Sequence, residues 1–352
     1  MTSVEVEDLV ARADAFVEAR PATVLRAWER HRRRLRFEVG LPFGLEAPLR
    51  PLFVERALVD ELITAAAPGL PPPAVAMPMG AGTRGALTLT EPPHGREWLL
   101  HAAYVQLLAC PWLPLLDVEP RHLDAGAPLS MLATALGARR AEGSVAILLG
   151  DDDVTGVFAS DARVLQLVWF LEEQLTALGV PTRAVTPDEL VRDGAALRFD
   201  DGHDVVGIAS WVLGRPALDD WPRGVQAWPG RGPVMDRRAL ASFAGVAGGR
   251  YAEAQLEAPT AELDDWVFKP FDQPWIELPA SQASGAGVFQ RRVELPRTRL
   301  PVSIDGVVQW RECGVELGAV FVDGRCAAAF GRCVFPTPEG PLDVICPAVL
   351  VE

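Results

Sequence analysis

Residues 145–149 read Val-Ala-Ile-Leu-Leu, an apolar run bounded by glycines that predicts a strand buried on both faces of a sheet. Apolar residues then recur at helical spacing over residues 162–178, and Gly179 ends the predicted helix. Further strands are predicted at residues 181–185, 197–199 and 205–210. Because strands and helices alternate, we expect residues 144–213 to form a parallel, doubly wound α/β sheet.

Other helices are predicted from capping residues and apolar spacing. Thr186-Pro187-Asp188-Glu189 is a capping box with proline at the first helical position, which predicts that a helix begins there. Further helices are predicted at residues 4–37, 55–66 and 237–246, and residues 98–108 and 129–138 are predicted to be helical or mixed. Gly80, Gly82 and Gly85 match Gly-x-Gly-x-x-Gly, but prolines precede them and residues 86–90 predict a strand. This order favours a loop over a dinucleotide site.

The half of the chain after residue 236 carries signals for antiparallel pairing. Trp266-Val267-Phe268-Lys269-Pro270 predicts a strand that ends at proline, and residues 288–293 predict another. Asp323-Gly324 is a strong hairpin signal between apolar runs at residues 315–322 and 325–334. We therefore expect an α/β protein whose C-terminal half is α+β.

Composition limits the partners of the chain. The 352 residues carry a net charge of −14, which disfavours nucleic acid because that partner selects clustered lysine and arginine. No stretch approaches the ~20 apolar residues that a membrane helix needs, and the acidic N-terminus lacks a signal-peptide pattern. We therefore expect a cytoplasmic protein with no membrane and no nucleic-acid partner.

Lys269 is the single lysine among the 33 lysine and arginine residues. Arginine replaces lysine wherever a positive charge suffices, so a retained lysine indicates a place that needs a compact ammonium group. A phosphate contact is one such place. The alternative is that a single lysine falls there by chance.

The surroundings of Lys269 indicate the chemistry that it could serve. The sequence has no Gly-x-Ser-x-Gly elbow, no Gly-x-x-x-x-Gly-Lys-Ser/Thr phosphate loop and no His-Glu-x-x-His zinc motif. A lysine that contacts phosphates, with carboxylates that hold Mg²⁺, is the minimum set for phosphoryl transfer from ATP. Solvated surface carboxylates are the alternative interpretation. The nearby carboxylates are Asp264, Asp265, Asp272, Glu277 and Glu294.

Several stretches, taken in order, resemble the circularly permuted ATP-grasp family that includes glutathionylspermidine synthase and eukaryotic-type glutathione synthetase. Residues 265–270, Asp-Trp-Val-Phe-Lys-Pro, are similar to its Val-Leu-Lys-Pro strand, and residues 287–293 to the strand beside adenine. Residues 316–324, followed by Gly331-Arg332-Cys333, resemble the next hairpin and its arginine. Further matches lie at residues 50–62, 144–213 and 234–240.

The resemblance implies a fold and an activity. The fold would be ATP-grasp-like, with a Rossmann-like pre-ATP-grasp parallel sheet and an antiparallel sheet that clamps the nucleotide. The activity would be that of an ATP-dependent carboxylate–amine ligase, in which an amine attacks an acyl phosphate made from a small-molecule carboxylate. The domains expected are residues 1–143 (helical and mixed, contributing to the ATP-grasp core), 144–235 (Rossmann-like) and 236–352 (antiparallel α+β).

The resemblance also implies roles for single residues and two cofactors, ATP and Mg²⁺. Lys269 would neutralise phosphate charge, and Arg332 would contact phosphate or substrate during catalysis. The residues implied in ATP binding are Lys269, Arg237, Arg238, Gln290 and Phe289, and those implied in Mg²⁺ binding are Asp272 and Glu277.

A second hypothesis is a relative that keeps the fold without catalysis and binds a nucleotide or a partner protein. The family's Glu-x-Asn metal pair has no counterpart at residues 98–103, which read Trp-Leu-Leu-His-Ala-Ala. Trp211, Trp221 and Trp228 could form a partner surface or pack the two halves together. A homodimer, a protein partner and an unrelated α/β binding protein are further alternatives.

Overall fold

The structure is a computed structural model that describes most of the chain. The described residues are 3–34, 48–66, 75–91, 98–108, 110–116, 123–124, 127–138, 143–149, 162–210, 222, 225–228, 240–241, 250–271, 277–322, 325–337 and 340–351.

Helices and strands alternate in the first two thirds of the described chain, and strands dominate the last third. The described α-helices are α1 (Ser3–Ala19), α2 (Pro21–Arg34), α3 (Arg56–Ala66), α4 (Trp98–Leu107), α5 (Pro128–Ala138) and α6 (Ala162–Ala177). The first strands are β1 (Leu52–Glu55), β2 (Val75–Ala76), β3 (Met79–Ala81), β4 (Thr88–Glu91), β5 (Leu123–Asp124), β6 (Ser144–Leu148), β7 (Thr182–Val185), β8 (Leu190–Asp193), β9 (Ala196–Phe199) and β10 (Val205–Ser210). The remaining strands are β11 (Gln226–Trp228), β12 (Ala254–Gln255), β13 (Trp266–Pro270), β14 (Leu278–Pro279), β15 (Gly287–Arg291), β16 (Arg297–Ile304), β17 (Val307–Val322), β18 (Arg325–Thr337) and β19 (Gly340–Val351).

The helices predicted from apolar spacing are confirmed wherever the structure describes them. The predicted helix at residues 4–37 divides into α1 and α2, because Pro21 occupies the first position of a new helix. The predicted helices at residues 55–66, 98–108 and 129–138 correspond to α3, α4 and α5. The predicted helix at residues 237–246 lies outside the described residues except for residues 240–241.

The predicted parallel sheet is confirmed, with strands in the order β11–β10–β6–β7. Helix α6 covers it with the buried side chains of Leu167, Leu171 and Leu175. These leucines belong to the same core cluster as Val145 and Ile147 of β6. Helix α6 therefore packs on the parallel sheet, as the alternation of strands and helices in the sequence predicts.

Two predictions within this segment are wrong. Residues 197–199 lie in β9, which pairs antiparallel with β8 in a separate hairpin and does not join the parallel sheet. The capping box at Thr186 and Glu189 forms, with 2.7 Å between the Thr186 amide and Glu189 Oε2, but it closes only a three-residue 3₁₀ turn. The turn stops there because Leu190 begins β8, whose hairpin with β9 reverses at Gly194 with φ of 60°.

A nine-stranded sheet forms the centre of the described structure. Six of its strands lie in the order β1–β19–β18–β17–β3–β4, while β2 and β16 also pair with β17, and β5 pairs with β19. It combines strands from residues 52–91 and the short β5 at residues 123–124 with strands from residues 297–351, and β1 runs parallel to β19. The predicted hairpin is confirmed as β17 and β18, while Asp323-Gly324 itself lies outside the described residues. Gly80 lies on β3, while Gly82 and Gly85 lie in the connection to the antiparallel β4, so the predicted loop holds only for the last two glycines. A strand and not a helix follows them, which disagrees with a dinucleotide site.

A smaller antiparallel sheet, β12–β15–β13–β14, contains the predicted strands at residues 266–270 and 288–293. Main-chain hydrogen bonds join it to β4 of the larger sheet. The Leu89 amide donates to the Arg250 carbonyl at 2.6 Å, and the Ala252 amide donates to the Leu89 carbonyl at 2.8 Å. The chain then continues directly into β12, so the two sheets meet beside β4.

Two apolar clusters cover opposite faces of the nine-stranded sheet. Val320 and Val322 of β17 belong to the cluster that includes the helices α1, α2, α4 and α5. Leu317, Ala319 and Phe321 alternate with them and belong to the cluster that includes α3. The sheet is therefore buried on both faces, so a charged side chain along it requires a partner.

No helix among the described residues is long and apolar enough to cross a membrane. The expected domain boundaries at residues 143 and 235 remain a prediction.

Candidate functional site

Lys269 lies on β13 of the smaller sheet, and its side chain reaches β4 of the nine-stranded sheet. Only 2% of the residue is exposed. Its ammonium group forms an ion pair with Glu91 of β4 and a second one, at 3.1 Å, with Glu277 Oε1. The residue that the sequence singled out is therefore a buried cation held by carboxylates from two parts of the chain.

Close pairing of β13 with β15 fixes the position of Lys269. Gly287 lies opposite Pro270, and Val288 lies opposite Lys269. A Cβ at Gly287 would stand 2.4 Å from the Phe268 ring and 2.7 Å from the Lys269 carbonyl oxygen. Only glycine fits there without displacing the strand that carries Lys269.

Arg332 of β18 lies directly opposite Glu316 of β17, and a β-bulge produces this pairing. The register of the Val322–Arg325 pair, continued without a shift, would place Gly331 opposite Glu316. The register shifts by one residue between Val320 and Phe321, and a one-residue shift moves a side chain to the other face of a sheet. The bulge is therefore what brings Arg332 and Glu316 together.

The Arg332 guanidinium contacts three carboxylates. Nη1 lies 3.2 Å from Glu316 Oε2 and 3.5 Å from Glu277 Oε1, and Nε donates to Asp343 Oδ2 at 2.8 Å. Burial acts to lower the pKa of Arg332, but the charges of Glu316, Glu277 and Asp343 outweigh it and raise this pKa well above its usual value. Arg332 is therefore charged at any working pH.

Glu316 is the most deeply buried carboxylate of the site. The Thr90 hydroxyl donates to its Oε1, and Arg332 contacts its Oε2. Burial raises the pKa of Glu316 above its usual value, and Arg332 and Thr90 only partly offset that effect. The effect of burial on the ionisation of Glu316 thus exceeds that of its partners.

Gln290 and Phe289 of β15 are both buried and, as neighbours on a strand, lie on opposite faces of the smaller sheet. The Gln290 side-chain amide donates to the Thr90 carbonyl at 2.8 Å, which ties the smaller sheet to β4. The Phe289 ring packs on Phe268 with the ring centroids 5.0 Å apart. Gln290 therefore links the two sheets, whereas Phe289 packs within the smaller sheet, and contact of either side chain with adenine remains a prediction.

The other predicted site residues have different outcomes. Arg237, Arg238 and Asp272 lie outside the described residues. Glu277 is described, and its carboxylate contacts Lys269 and Arg332. The carboxylates of Asp264, Asp265 and Glu294 form no part of the contacts described around Lys269, and Asp264 and Asp265 are exposed.

Sequence reasoning missed four residues of the site: Thr90, Glu91, Glu316 and Asp343. Glu316 had a detectable signal, because it is a charged residue at the edge of a buried apolar strand and so requires a partner. Arg332 lies in the equivalent position of the neighbouring apolar strand. Glu91 and Asp343 had no comparable signal. Glu91 is brought to the site because β3 pairs with the distant β17 and Leu89 pairs with residues 250–252, and Asp343 is brought there by the hairpin of β18 and β19.

We call Lys269, Arg332, Glu91, Glu277, Glu316 and Asp343 the charged cluster. Four carboxylates face two cations, which leaves a formal excess of two negative charges. Carboxylate oxygens are the ligands that Mg²⁺ prefers, so the chemistry of the donors fits a divalent cation. Within the described residues, no three His, Cys, Asp or Glu side chains are grouped as metal ligands, and the carboxylates surround the cations instead.

Comparison with known proteins gives distant similarity only. No model of a protein family matches the sequence, and no curated protein matches it. Among solved structures, a candidate gamma-glutamylcysteine synthetase from Methylobacillus flagellatus is 10% identical, with a TM-score of 0.41 over 82% of this chain and 84% of that chain. The ATP-grasp ligase PsnB, solved with a minimal precursor, is 13% identical, with a TM-score of 0.27 over 59% of this chain and 89% of that chain. Both TM-scores lie below 0.5, and the side chains of this chain alone therefore support the function considered next.

Proposed function

We propose that the chain is an ATP-dependent ligase of the ATP-grasp type, which joins a small-molecule carboxylate to an amine through an acyl phosphate. The observation that carries the proposal is the convergence of Lys269 and Arg332. One cation comes from the smaller sheet and the other from the larger sheet, and a single carboxylate contacts both. Two cations presented by facing sheets can neutralise a polyphosphate held between them.

In this proposal each part of the charged cluster has a task. Lys269 neutralises phosphate charge, and Arg332 contacts the phosphate or the phosphorylated carboxylate. Glu91, Glu277 and Glu316 are the carboxylates that would hold Mg²⁺, whose charge would help to neutralise the phosphates. Catalysis would rest on positioning and charge stabilisation, for which the tie between Gln290 and Thr90 provides a rigid frame.

Several finer parts of the proposal come from the sequence. On that basis the proposal includes a resemblance to glutathionylspermidine synthase, roles for Arg237, Arg238 and Asp272, and a cytoplasmic location. The partners proposed are a carboxylate and an amine of low molecular weight. Their identities are left to the experiment that follows.

Trapping of the acyl phosphate tests the proposed activity without knowledge of the amine. Hydroxylamine attacks an acyl phosphate and gives a stable hydroxamate, so the protein would be incubated with ATP, Mg²⁺, hydroxylamine and a panel of amino acids and peptides. We expect a hydroxamate and an equal amount of ADP with at least one carboxylate. The Lys269→Met variant should lose this activity by about 100-fold, since a buried charge contact to the phosphates is removed.

Arg198→Met is the matched control, because Arg198 is an exposed cation on the β8–β9 hairpin that pairs with Asp193 and Asp204. It should retain wild-type activity. If ATP binds and no carboxylate gives ADP or hydroxamate, the proposal of a ligase is wrong and a nucleotide-binding relative without catalysis is favoured.

A further inference from the structure

The carboxylate of Glu277 occupies an unusual place within the charged cluster. The same oxygen, Oε1, lies 3.1 Å from Lys269 Nζ and 3.5 Å from Arg332 Nη1. One negative oxygen shared by two cations is the arrangement that a non-bridging phosphate oxygen adopts between a lysine and an arginine. Glu277 thus supplies the chemistry of a phosphate oxygen from within the chain.

The other two glutamates of the charged cluster differ from Glu277 in lying on strands of the larger sheet. Glu316 lies on β17 and is fixed from both sides, by the Thr90 hydroxyl and by Arg332. Glu91 lies on β4 within the larger sheet and contacts Lys269. Glu277 lies outside any strand, directly before β14, and 31% of its side chain is exposed. Of these three glutamates, Glu277 is the one that can turn towards solvent without disrupting a sheet.

Both cations keep a partner when Glu277 leaves. Lys269 retains Glu91, and Arg332 retains Glu316 and Asp343. Loss of one partner from a buried ion pair is strongly unfavourable when it leaves the other charge unpaired. Departure of Glu277 avoids this cost, because both cations keep a carboxylate. It also removes one negative charge from the position where the two cations meet.

We propose that Glu277 is an internal substitute for a phosphate oxygen. It bridges Lys269 and Arg332 in the ligand-free protein and must leave this bridge, which frees it to hold Mg²⁺, before a polyphosphate binds between the two cations. The inference rests on the proposed function, since it concerns the same site. It assigns to Glu277 the selection of the ligand. A free polyphosphate must compete with the Glu277 carboxylate for the two cations. Substitution of Glu277 by a neutral residue therefore removes the competitor.

Titration with inorganic tripolyphosphate in the presence of EDTA tests the inference directly. Calorimetry would compare the wild-type chain with Glu277→Gln and Glu277→Ala, with circular dichroism as a check that each variant is folded. We expect both variants to bind tripolyphosphate at least about tenfold more tightly than wild type, because a unit negative charge is removed within contact distance of the bound anion. The alanine variant covers the case in which glutamine still bridges the two cations through its own oxygen.

Asp343→Asn is the matched charge control. Asp343 contacts Arg332 alone, and 42% of its side chain is exposed. Its substitution removes the same charge without opening the bridge, so affinity should rise by less than about threefold. If the Asp343 and Glu277 variants gain equal affinity for tripolyphosphate, a bridging role of Glu277 is contradicted. It is also contradicted if neither Glu277 variant gains affinity.

Binding of ATP with Mg²⁺ to the wild-type chain separates this inference from the proposed function. Gain of tripolyphosphate affinity in the Glu277 variants, with no ATP binding to wild type, would support the inference and overturn the proposed function. If wild type binds ATP and the binding requires Lys269, but the Glu277 variants gain no affinity for tripolyphosphate, the proposed function is supported and the inference is overturned.

Discussion

Glu316 links a buried position to the pH dependence of folding. Its folded-state pKa is raised above the ordinary value of 4.5 because burial disfavours the carboxylate. Below pH 4.5 the carboxyl is protonated in both states and has no effect. As the pH rises through the folded-state pKa, the unfolded chain ionises more readily, so stability is lost.

The Glu316→Gln variant should therefore gain stability relative to wild type as the pH rises. We expect the difference in free energy of unfolding between the two proteins to shift in favour of Glu316→Gln between pH 4 and pH 7. Urea unfolding at several pH values measures it. Glu253→Gln, which alters an exposed carboxylate paired with Arg291, serves as the control. A difference that is the same at every pH would contradict the account of Glu316.

At the scale of elements, the buried Arg50 joins α1 to the nine-stranded sheet. Its Nε lies 2.5 Å from Asp14 of α1, and its Nη2 donates to the Arg299 carbonyl of β16 at 2.8 Å. Only 1% of Arg50 is exposed. Burial raises the pKa of Asp14, and the charge of Arg50 partly offsets this effect.

Arg50→Met should destabilise the fold by about 3 kcal/mol, because Asp14 loses its cation and a buried carbonyl loses its donor. Arg12→Met is the control, since Arg12 pairs with Asp8 on the exposed face of the same helix and its loss should cost less than about 0.5 kcal/mol. Urea unfolding curves measure both values. A loss below 1 kcal/mol for Arg50→Met would show that the helix is held without this pair.

Elements with strong local patterns could be predicted from the sequence, and elements set by distant pairing could not. The apolar run at residues 145–149 and the helical repeat of α6 depend on their own residues, so their types were predicted correctly. The strand at residues 197–199 was assigned to the wrong sheet, because nothing local distinguishes a parallel partner from the adjacent β8.

The candidate site shows the same division. Lys269 could be identified because it is the single lysine and lies on an apolar strand. Glu91 could not, because the pairing of β3 with the distant β17 brings its part of the chain to the site. Asp343 could not, because its contact with Arg332 depends on the register of β18 with β19. The pairing of Arg332 with Glu316 depends on a bulge in β17 and β18 that the turn residues do not predict.

At the scale of the whole molecule, the account depends on two sheets that meet beside β4. Leu89 forms main-chain hydrogen bonds to the strand that leads into the smaller sheet, and Gln290 bonds to Thr90 next to it. The two cations of the charged cluster lie on the two sides of this junction. A ligand that bridges them should therefore stabilise the whole chain, because binding to the folded state alone raises the free energy of unfolding.

The most direct measurement is a calorimetric titration of ATP with Mg²⁺ into the wild-type, Lys269→Met and Arg198→Met proteins. The account predicts saturable binding of one ATP per chain, reduced by about 100-fold in Lys269→Met and unchanged in Arg198→Met. No binding to wild type, or equal binding to wild type and folded Lys269→Met, would contradict the claim that Lys269 and the charged cluster form a nucleotide site.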